Sequence, residues 1–366
     1  MISSSKNKVS ASNQPKYQQI VQRLRHQIES GILPPGQRMA TFEQLRSEFG
    51  LTNSTIEKVY GLLEQEGLIA RRRGAGTFVL GPKKPQFKGV IGLSGYGFSF
   101  GGQSSYWTDL VNGVRRGAHM ANAQILLLEN EVGDGWEKVD GLISSDFGAP
   151  EYKSIAWLQL PFVSLFGLVE NVASIATDDY EGGKLATEHL LELGHRRIAY
   201  LHGRNLTVTG LRRKGYIDAL DQAGVTFQPA WRHPMAGKID YGPEFLQAGR
   251  REMEAWLDDS GPNGWKAINC TALLCHNDET AIGAMQALTA AGFNIPTDVS
   301  IVGYDGTDVC EYVSPSLTSV QVPLQMMGEK AVELLLRQIA ADQVLTEHHV
   351  LPLQLRVGKS TAPPRI

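Results

Sequence analysis

The chain has 366 residues, of which 42% are hydrophobic and 20% are charged, and its formal net charge is −3. This length predicts two or three domains, and the ordinary composition excludes fibrous and largely disordered proteins. Residues 1–13 are rich in Ser and Lys and hold no apolar segment, so we expect neither a signal peptide nor a membrane anchor there. No apolar run reaches the length of about 18 residues that a transmembrane helix needs. The three cysteines form no CxxC pair, which favours free thiols in a reducing cytoplasm.

Charge is distributed unequally along the chain. Residues 1–88 hold fourteen Lys and Arg against six Glu, a net charge of +8, whereas the remaining residues carry −11. A small basic head on an acidic body predicts that only the head binds a polyanion such as DNA. A basic surface with no partner is the alternative that charge alone leaves open.

The head contains three predicted helices followed by a hairpin. Apolar residues at helical spacing predict helices over 17–30, 41–49 and 52–66. The second of these begins with a capping-box pattern, Thr41 followed by Gln three residues later. Two short β-type runs flank a glycine turn at 74–76. Three helices and a basic hairpin predict a winged helix-turn-helix domain over residues 15–80, after a tail (1–14) that we expect to be disordered.

The third helix of such a domain enters the major groove with its N-terminal residues against base edges. Asn pairs well with adenine, Thr contacts the thymine methyl, and arginines in the hairpin suit phosphates or the minor groove. A small glycine lets the hairpin tip approach DNA closely, although a helix-turn-helix used only for protein contacts is the alternative. The candidate DNA-binding residues are Thr41, Asn53, Ser54, Thr55, Lys58, Arg71, Arg72, Arg73 and Gly76.

Residues 17–80 resemble the GntR-type DNA-binding domain. The resemblance rests on the segments IESGILPPGQRM, LRSEFGLTNSTIEKVYGLLEQEGLI and RRRGAGTFV. The chain departs from the family at Glu43, Asn53 and Glu57, where family members tend to carry arginines. Since two of these changes place carboxylates near a polyanion, we expect a different operator sequence, with Asn53, Lys58 and the hairpin arginines making more of the contact.

The body follows a Pro-broken basic linker (81–88) and alternates apolar β-type runs with helical runs. This alternation predicts doubly wound parallel α/β sheets. Residues 89–358 are enough for two such lobes, with a ligand cleft at the carboxyl ends of their strands. A short tail (359–366) completes the predicted domain organisation.

The body resembles the LacI/GalR-type sensor domain, which is itself similar to periplasmic sugar-binding proteins. The segments that carry this resemblance are TDDYEGGKLATEHLLELGHRRIAYLHG, RRKGYIDALDQAGV, LLCHNDETAIGAMQALTAAGFNIPTDVSIVGYDG and SPSLTSVQVPLQMMGEKAVELLL. The resemblance implies two Rossmann-like lobes, a hinge of three crossing strands, homodimerisation and no catalytic chemistry. Only ten residues separate Leu128 from Val139, too few for the usual strand–helix–strand crossover, so we expect a missing or reduced helix and an altered dimer face.

The resemblance also implies effector-binding residues. Arg212 occupies the position of an arginine that donates to ligand oxygens, and Asp305 that of a carboxylate that accepts from sugar hydroxyls; an interlobe salt bridge is the alternative for both. Asn277 and Asp278 reach the cleft or merely cap a helix. Aromatic side chains after the first strand of the body stack on a sugar or pack in the core. These aromatic candidates are Tyr96, Phe98 and Trp107.

These features predict a cytoplasmic, homodimeric transcription regulator that binds double-stranded operator DNA and a small sugar-like effector. Repression released by the effector is the expected sign; an activator and a nucleoside- or purine-responsive regulator are the alternatives. The sequence holds no GxSxG, HExxH or paired-cysteine signature, so we expect no enzyme, no cofactor and no metal. An exported sugar-binding protein would need an export signal and would lack the DNA-binding head.

Overall fold

A computed structural model describes residues 15–29, 32–72, 74–80, 87–95, 104–128, 138–145, 160–203, 207–235, 244–261, 264–341 and 345–365. Three candidate site residues, Arg73, Tyr96 and Phe98, lie outside these ranges, as do the predicted tail and most of the linker. The chain divides into two compact units, residues 1–86 and 87–366. Among the described helices, none is both long enough and apolar enough to cross a membrane.

The first unit contains the three helices and the hairpin that the sequence predicts. The strands pair antiparallel, with Ile69 opposite Val79. One small apolar core, in which Ile56 and Leu63 are fully buried, holds the helices and the hairpin together. The elements are α1 (Lys16–Glu29), α2 (Phe42–Phe49), α3 (Asn53–Gln65), β1 (Ile69–Arg72) and β2 (Gly76–Val79).

The second unit contains two six-stranded sheets with helices packed against them. Its strands are β3 (Val90–Ser94), β4 (Gln124–Leu128), β5 (Gly141–Ser144), β6 (Phe162–Leu165), β7 (Ala173–Thr177), β8 (Ile198–His202), β9 (Arg232–Pro234), β10 (Ala272–Cys275), β11 (Ser300–Asp305), β12 (Thr318–Gln321), β13 (His348–Leu351) and β14 (Gln354–Arg356). Its helices are α4 (Ser105–Met120), α5 (Asp179–Glu192), α6 (Thr207–Gln222), α7 (Glu244–Asp259), α8 (Trp265–Ile268), α9 (Asp278–Ala290), α10 (Val309–Tyr312) and α11 (Leu324–Ala341).

The two sheets form two lobes. The strand order is β13-β7-β6-β5-β3-β4 in lobe 1 and β14-β12-β11-β10-β8-β9 in lobe 2. Every pairing is parallel except that of β12 with β14. The chain crosses between the lobes three times, at residues 177–179, 321–324 and 351–354. A parallel sheet gathers its strand ends at one edge, so the loops at the carboxyl ends of β8, β10 and β11 lie together.

Helices α5 and α6 lie on one face of the lobe 2 sheet and touch each other backbone to backbone. A Cβ atom added to Gly183 of α5 would lie 2.0 Å from the Arg212 carbonyl oxygen. A Cβ atom added to Gly215 of α6 would likewise lie 2.0 Å from the Tyr180 carbonyl oxygen. Any side chain at either position would separate the helices. The two glycines therefore fix the position from which Arg212 reaches the cleft.

The sequence analysis did not predict some of the observed elements. Among those to which it assigned no bounds are the short elements β9, α8, α10 and β14. The predicted loss of a helix after β4 concerns a connection in which residues 129–137 lie outside the described ranges. Its effect on a dimer face stays a prediction.

Candidate DNA interface and effector cleft

The N-terminus of α3 presents three polar residues. The Asn53 side chain is exposed, and within the described chain it makes no hydrogen bond. The hydroxyl oxygens of Ser54 and Thr55 lie 3.0 and 2.9 Å from Oγ1 of Thr52, whose side chain caps the helix. Of the three predicted base-contacting residues, Asn53 is therefore the one whose polar atoms need no rearrangement before they meet a base.

Thr41 forms the predicted capping box at the start of α2. Its hydroxyl accepts from the Gln44 backbone N–H at 3.3 Å, and its own N–H donates to the Gln44 side chain at 2.7 Å. The capping arrangement is confirmed. The hydroxyl thus has a structural partner, and a DNA contact by Thr41 stays a prediction.

Arg71 differs from the other hairpin arginine in the described chain. Its guanidinium bonds to Glu57 of α3, and its Nε lies 3.1 Å from Oε2 of Glu64. The hydrogen bond to Glu57 raises the pKa of Arg71. Arg72, in contrast, is exposed and lies over the Phe78 ring, 5.0 Å from its centroid. Arg71 therefore neutralises the two carboxylates of α3, whereas Arg72 is available to a phosphate.

Lys58 and Gly76 also have neighbours inside the head. Nζ of Lys58 lies 3.8 Å from the centroid of the Tyr17 ring. Gly76 has a positive φ of +111°, and a Cβ there would lie 2.8 Å from Nε of Arg38. The backbone conformation thus favours glycine, independently of any approach to DNA, whereas the flexible Arg38 side chain could move aside. Arg38 is a basic residue at the hairpin that the sequence analysis missed.

The floor of the cleft in lobe 2 is built around Arg212. Its Nε donates to Asp179 at 2.7 Å, its Nη1 donates to the His276 carbonyl at 2.7 Å, and its guanidinium lies 3.6 Å from the centroid of the Tyr304 ring. The Tyr304 hydroxyl donates to the same Asp179 oxygen at 3.2 Å. Burial lowers the pKa of Arg212, but Asp179, Tyr304 and Asp305 together outweigh burial, so the pKa of Arg212 is raised. Since α5 and α6 both belong to lobe 2, the salt bridge lies within one lobe and not between the two.

Asp305 ends β11 beside this cluster. Its side chain is 6% exposed, and among the described residues no group donates a hydrogen bond to its carboxylate. Burial, followed by the negative charge of Asp278, raises its pKa well above the ordinary value, although Arg212 opposes this. Its φ of +113° is unusual for a residue with a side chain. An acceptor held without a donor at a cleft is suited to a ligand hydroxyl.

Asn277 and Asp278 have different structural roles. Oδ1 of Asn277 accepts from the Thr280 N–H at 2.9 Å and so caps α9, as one alternative predicted. Asp278 accepts from the Thr307 N–H at 3.0 Å and from the Ser319 hydroxyl at 2.5 Å. Burial raises the pKa of Asp278. Its carboxylate thereby anchors the loop after β11, and its oxygens already have donors.

Lobe 1 contributes the opposite wall. The Ser104 hydroxyl donates to Oε1 of Glu279 in lobe 2 at 2.7 Å, which joins the lobes across the cleft. Tyr106 packs on Phe166 with ring centroids 5.5 Å apart, and burial and then Asp305 raise its pKa. Trp107 is buried edge-on against both rings, as the core-packing alternative predicted.

The cleft therefore combines an arginine with two hydrogen bonds already made (Arg212), a carboxylate to which no described group donates (Asp305) and an aromatic wall (Tyr106 and Phe166). Such a set binds a polar ligand through oriented hydrogen bonds and ring contact. In the part of the chain that the structure describes, no three His, Cys, Asp or Glu side chains are grouped as a metal site. Asp179, Tyr304, Tyr106 and Glu279 are the cleft residues that the sequence analysis missed.

Each unit of the chain matches a known family. Residues 16–79 match the bacterial regulatory proteins of the gntR family, and residues 187–361 match a periplasmic binding protein-like domain. The chain is 28% identical over 360 residues to an arabinose metabolism transcriptional repressor of Geobacillus stearothermophilus, covering 90% of this chain and 93% of that protein. It is 32% identical over 192 residues to the transcriptional regulator CelR of Thermobifida fusca, and spans about half of that relative (52% of each).

Solved structures show the same architecture. A LacI family transcriptional regulator from Enterococcus faecium with bound ribose has a TM-score of 0.63 at 28% identity, covering 75% of this chain and 99% of that one. A complex of the regulator CelR with cellobiose has a TM-score of 0.64 at 23% identity, covering 86% and 93%, and shows a shared fold. The comparisons confirm the predicted winged helix-turn-helix joined to a two-lobed α/β domain, and regulators, not enzymes, carry it.

Proposed function

Since the chain is a transcription regulator that joins a GntR-type DNA-binding domain to a periplasmic binding protein-like domain, we propose that a neutral sugar in the cleft controls its affinity for operator DNA. The observation that supports this is the buried, donor-free carboxylate of Asp305 beside the Arg212 guanidinium. A sugar hydroxyl donates a hydrogen bond to the Asp305 carboxylate and accepts one from the Arg212 guanidinium. Regulators similar to this chain are named for arabinose or have been solved with ribose or cellobiose bound. Pentoses and small glycosides are therefore the first candidate effectors.

The regulator is a cytoplasmic homodimer in this proposal. Two heads bind a pseudo-palindromic operator whose half-sites are spaced by the DNA helical repeat. The effector closes the lobes and releases the operator, so the protein is a repressor. Because coupling of two binding sites is reciprocal, operator DNA must weaken sugar binding by the same factor by which the sugar weakens DNA binding.

A nucleoside is the second candidate effector. The Tyr106–Phe166 pair, with ring centroids 5.5 Å apart, offers an aromatic face on which a base can stack. The open carboxylate of Asp305 would then accept from a ribose hydroxyl.

A thermal-shift screen followed by a DNA-binding assay tests the proposal. The purified protein is heated with arabinose, ribose, xylulose, cellobiose, sugar acids and nucleosides, and a ligand at about 100 times its Kd should add roughly 2.7 kcal/mol of stability. Fluorescence anisotropy then measures affinity for a selected operator with and without the ligand that shifts the melting temperature. Equal operator affinity in both states would contradict control by that ligand.

A further inference from the structure

Two histidines lie side by side at the floor of the cleft. His202 ends β8 and His276 follows β10, and these are neighbouring parallel strands. The His276 backbone N–H donates to the Leu201 carbonyl at 3.1 Å, which places the two residues next to each other. They are only 7% and 6% exposed, and the adjacent strand β11 ends at Asp305 on the same edge.

His202 has a defined tautomer and a buried nitrogen without a partner. Its Nδ1 lies 2.8 Å from the Gly203 carbonyl oxygen, and because a carbonyl only accepts, Nδ1 carries the hydrogen. The neutral ring therefore keeps a lone pair on Nε2. That nitrogen is inaccessible to solvent, and no described residue donates a hydrogen bond to it.

His276 has a second such nitrogen. Its Nδ1 is also buried and makes no hydrogen bond with any residue that the structure describes. Burial, followed by the charge of Arg212 and by His202, lowers the pKa of His276 to about 3, so the ring is neutral at physiological pH. Burial likewise lowers the pKa of His202. Since both rings are neutral, ion pairing does not explain why the two histidines are buried here.

The His276 ring lies against the Gly203 backbone and Phe245. A Cβ atom on Gly203 would be 2.8 Å from Cδ2 of the ring, and the Phe245 and His276 ring centroids are 5.4 Å apart. Leaving a buried polar atom unbonded costs about 1–3 kcal/mol, and nearly all such atoms in proteins are bonded. Two nitrogens on neighbouring residues, both unbonded within the described chain, indicate a group that arrives with the ligand.

We propose that His202 and His276 form a hydroxyl-binding subsite of the effector cleft. A hydroxyl of the bound sugar donates to Nε2 of His202 and pairs with Nδ1 of His276, while Arg212 and Asp305 hold the neighbouring hydroxyls. The proposal rests on the proposed function and adds two recognition residues to it. A neutral polyol fits, because a hydroxyl both donates and accepts.

Phenylalanine variants test the subsite, with His195 as the matched control. His195 is equally buried, but its Nδ1 lies 2.8 Å from Oγ1 of Thr271 and its Nε2 lies 2.9 Å from the Ala362 carbonyl. Without sugar, His276→Phe should melt at or above the wild-type temperature, because it removes an unbonded nitrogen, whereas His195→Phe should melt lower. With the sugar that shifts the wild type, His202→Phe and His276→Phe should each raise Kd about tenfold or more, as a lost hydrogen bond predicts. His195→Phe should leave Kd unchanged.

The outcomes separate this subsite from the proposed function. A wild-type protein that binds no sugar contradicts the proposed function, and the subsite with it. If both cleft variants bind the sugar as tightly as the wild type does, the subsite is contradicted but the proposed function is not. A sugar-free His276→Phe that melts well below the wild type would show that the histidine is structural. A melting-temperature rise with ZnCl₂ that both variants abolish would overturn the subsite in favour of a metal site.

Discussion

Arg71 in the head and Arg212 in the cleft both bind carboxylates, but in opposite surroundings. The side chain of Arg71 is 36% exposed and those of Glu57 and Glu64 are 54% and 41% exposed, whereas Arg212 and Asp179 are 11% and 6% exposed. Exposed pairs contribute little to stability, while breaking a buried pair leaves an uncompensated charge. We therefore expect that only the pair in the head can open to let its arginine bind a phosphate, whereas the pair in the cleft is part of the fold.

The largest expected effect tests the buried half of this comparison. Arg212→Ala leaves the Asp179 carboxylate buried without its cation, so the free energy of unfolding should fall by about 3–5 kcal/mol. Arg71→Ala, the matched control, should change it by less than about 1 kcal/mol. Urea denaturation of both variants measures the difference. Equal losses would show that burial does not distinguish the two pairs.

Asp305→Asn separates binding from stability within the cleft. The variant should lose about 1.5–3 kcal/mol of sugar affinity, the value of a hydrogen bond to a charged group, as measured by calorimetry with the sugar that shifts the wild type.

The folded-state pKa of Asp305 is raised by burial, so the folded state favours the protonated form. The wild type should therefore lose stability as the pH rises from about 3.9, the unfolded value, through the folded-state pKa.

The amide of Asp305→Asn cannot ionise, so its stability relative to the wild type should grow over that same pH window. Urea denaturation of both proteins at several pH values measures this difference, in which the titrating groups remote from Asp305 cancel. A difference that is constant with pH would show that Asp305 is ionised as easily in the folded protein as in the unfolded chain.

Asn53 and Arg72 test the uncommitted residues of the head. Asn53→Ala should relax base preference at one operator position by about 1–3 kcal/mol, while Arg72→Ala should weaken binding to all sequences and reduce the salt slope by about one. Anisotropy titrations of single-base operator variants at several salt concentrations measure both. Ser54→Ala is the control, since the Ser54 hydroxyl already lies 3.0 Å from Thr52. An unchanged preference in Asn53→Ala would mean that α3 does not read the operator.

The smallest expected effect concerns the exchange of a carboxylate for a phosphate. Glu57→Gln removes one of the two carboxylates that Arg71 binds, so DNA affinity should rise a few-fold and the salt slope should steepen. Glu48→Gln, which removes an exposed carboxylate paired with Arg23 on α1, is the control for net charge. If Glu57→Gln tightens DNA binding and Glu48→Gln does not, the exposed pair of Arg71 differs from the buried pair of Arg212 in opening to bind DNA.

The sequence predicted the head well because its signals are local. The capping box at Thr41 and the helical spacing of apolar residues predict α2 and α3 with ends that differ from the observed ends by at most one residue. The interpretation of Gly76 as a residue that lets the hairpin approach DNA stays a prediction. The side chain nearest to it, the guanidinium of Arg38, comes from the segment between α1 and α2, and local signals did not indicate this contact.

The cleft was predicted only in part because its contacts are not local. Arg212 and Asp305 were identified through their motifs, but the partner of Arg212 lies 33 residues away and Tyr304 bonds to Asp179 across 125 residues. The Ser104–Glu279 hydrogen bond spans 175 residues. Pairs of this kind depend on which strand ends the topology brings together. Asp179 does lie in a segment that carries the family resemblance, but the segment alone does not distinguish it from its acidic neighbours Asp178 and Glu181.

The second crossing between the lobes, which returns the chain to lobe 1, has a consequence for how the protein is made. Lobe 1 is completed by β13, whose His348 pairs with Ser174 of β7, and by α11, which packs on α4. Most of lobe 1 is synthesised first, but residues 348–351 must also leave the ribosome before the lobe 1 sheet gains its last strand. The head, whose core draws only on residues 17–79, is complete much earlier. During synthesis, a folded DNA-binding domain thus precedes the sensor that controls it.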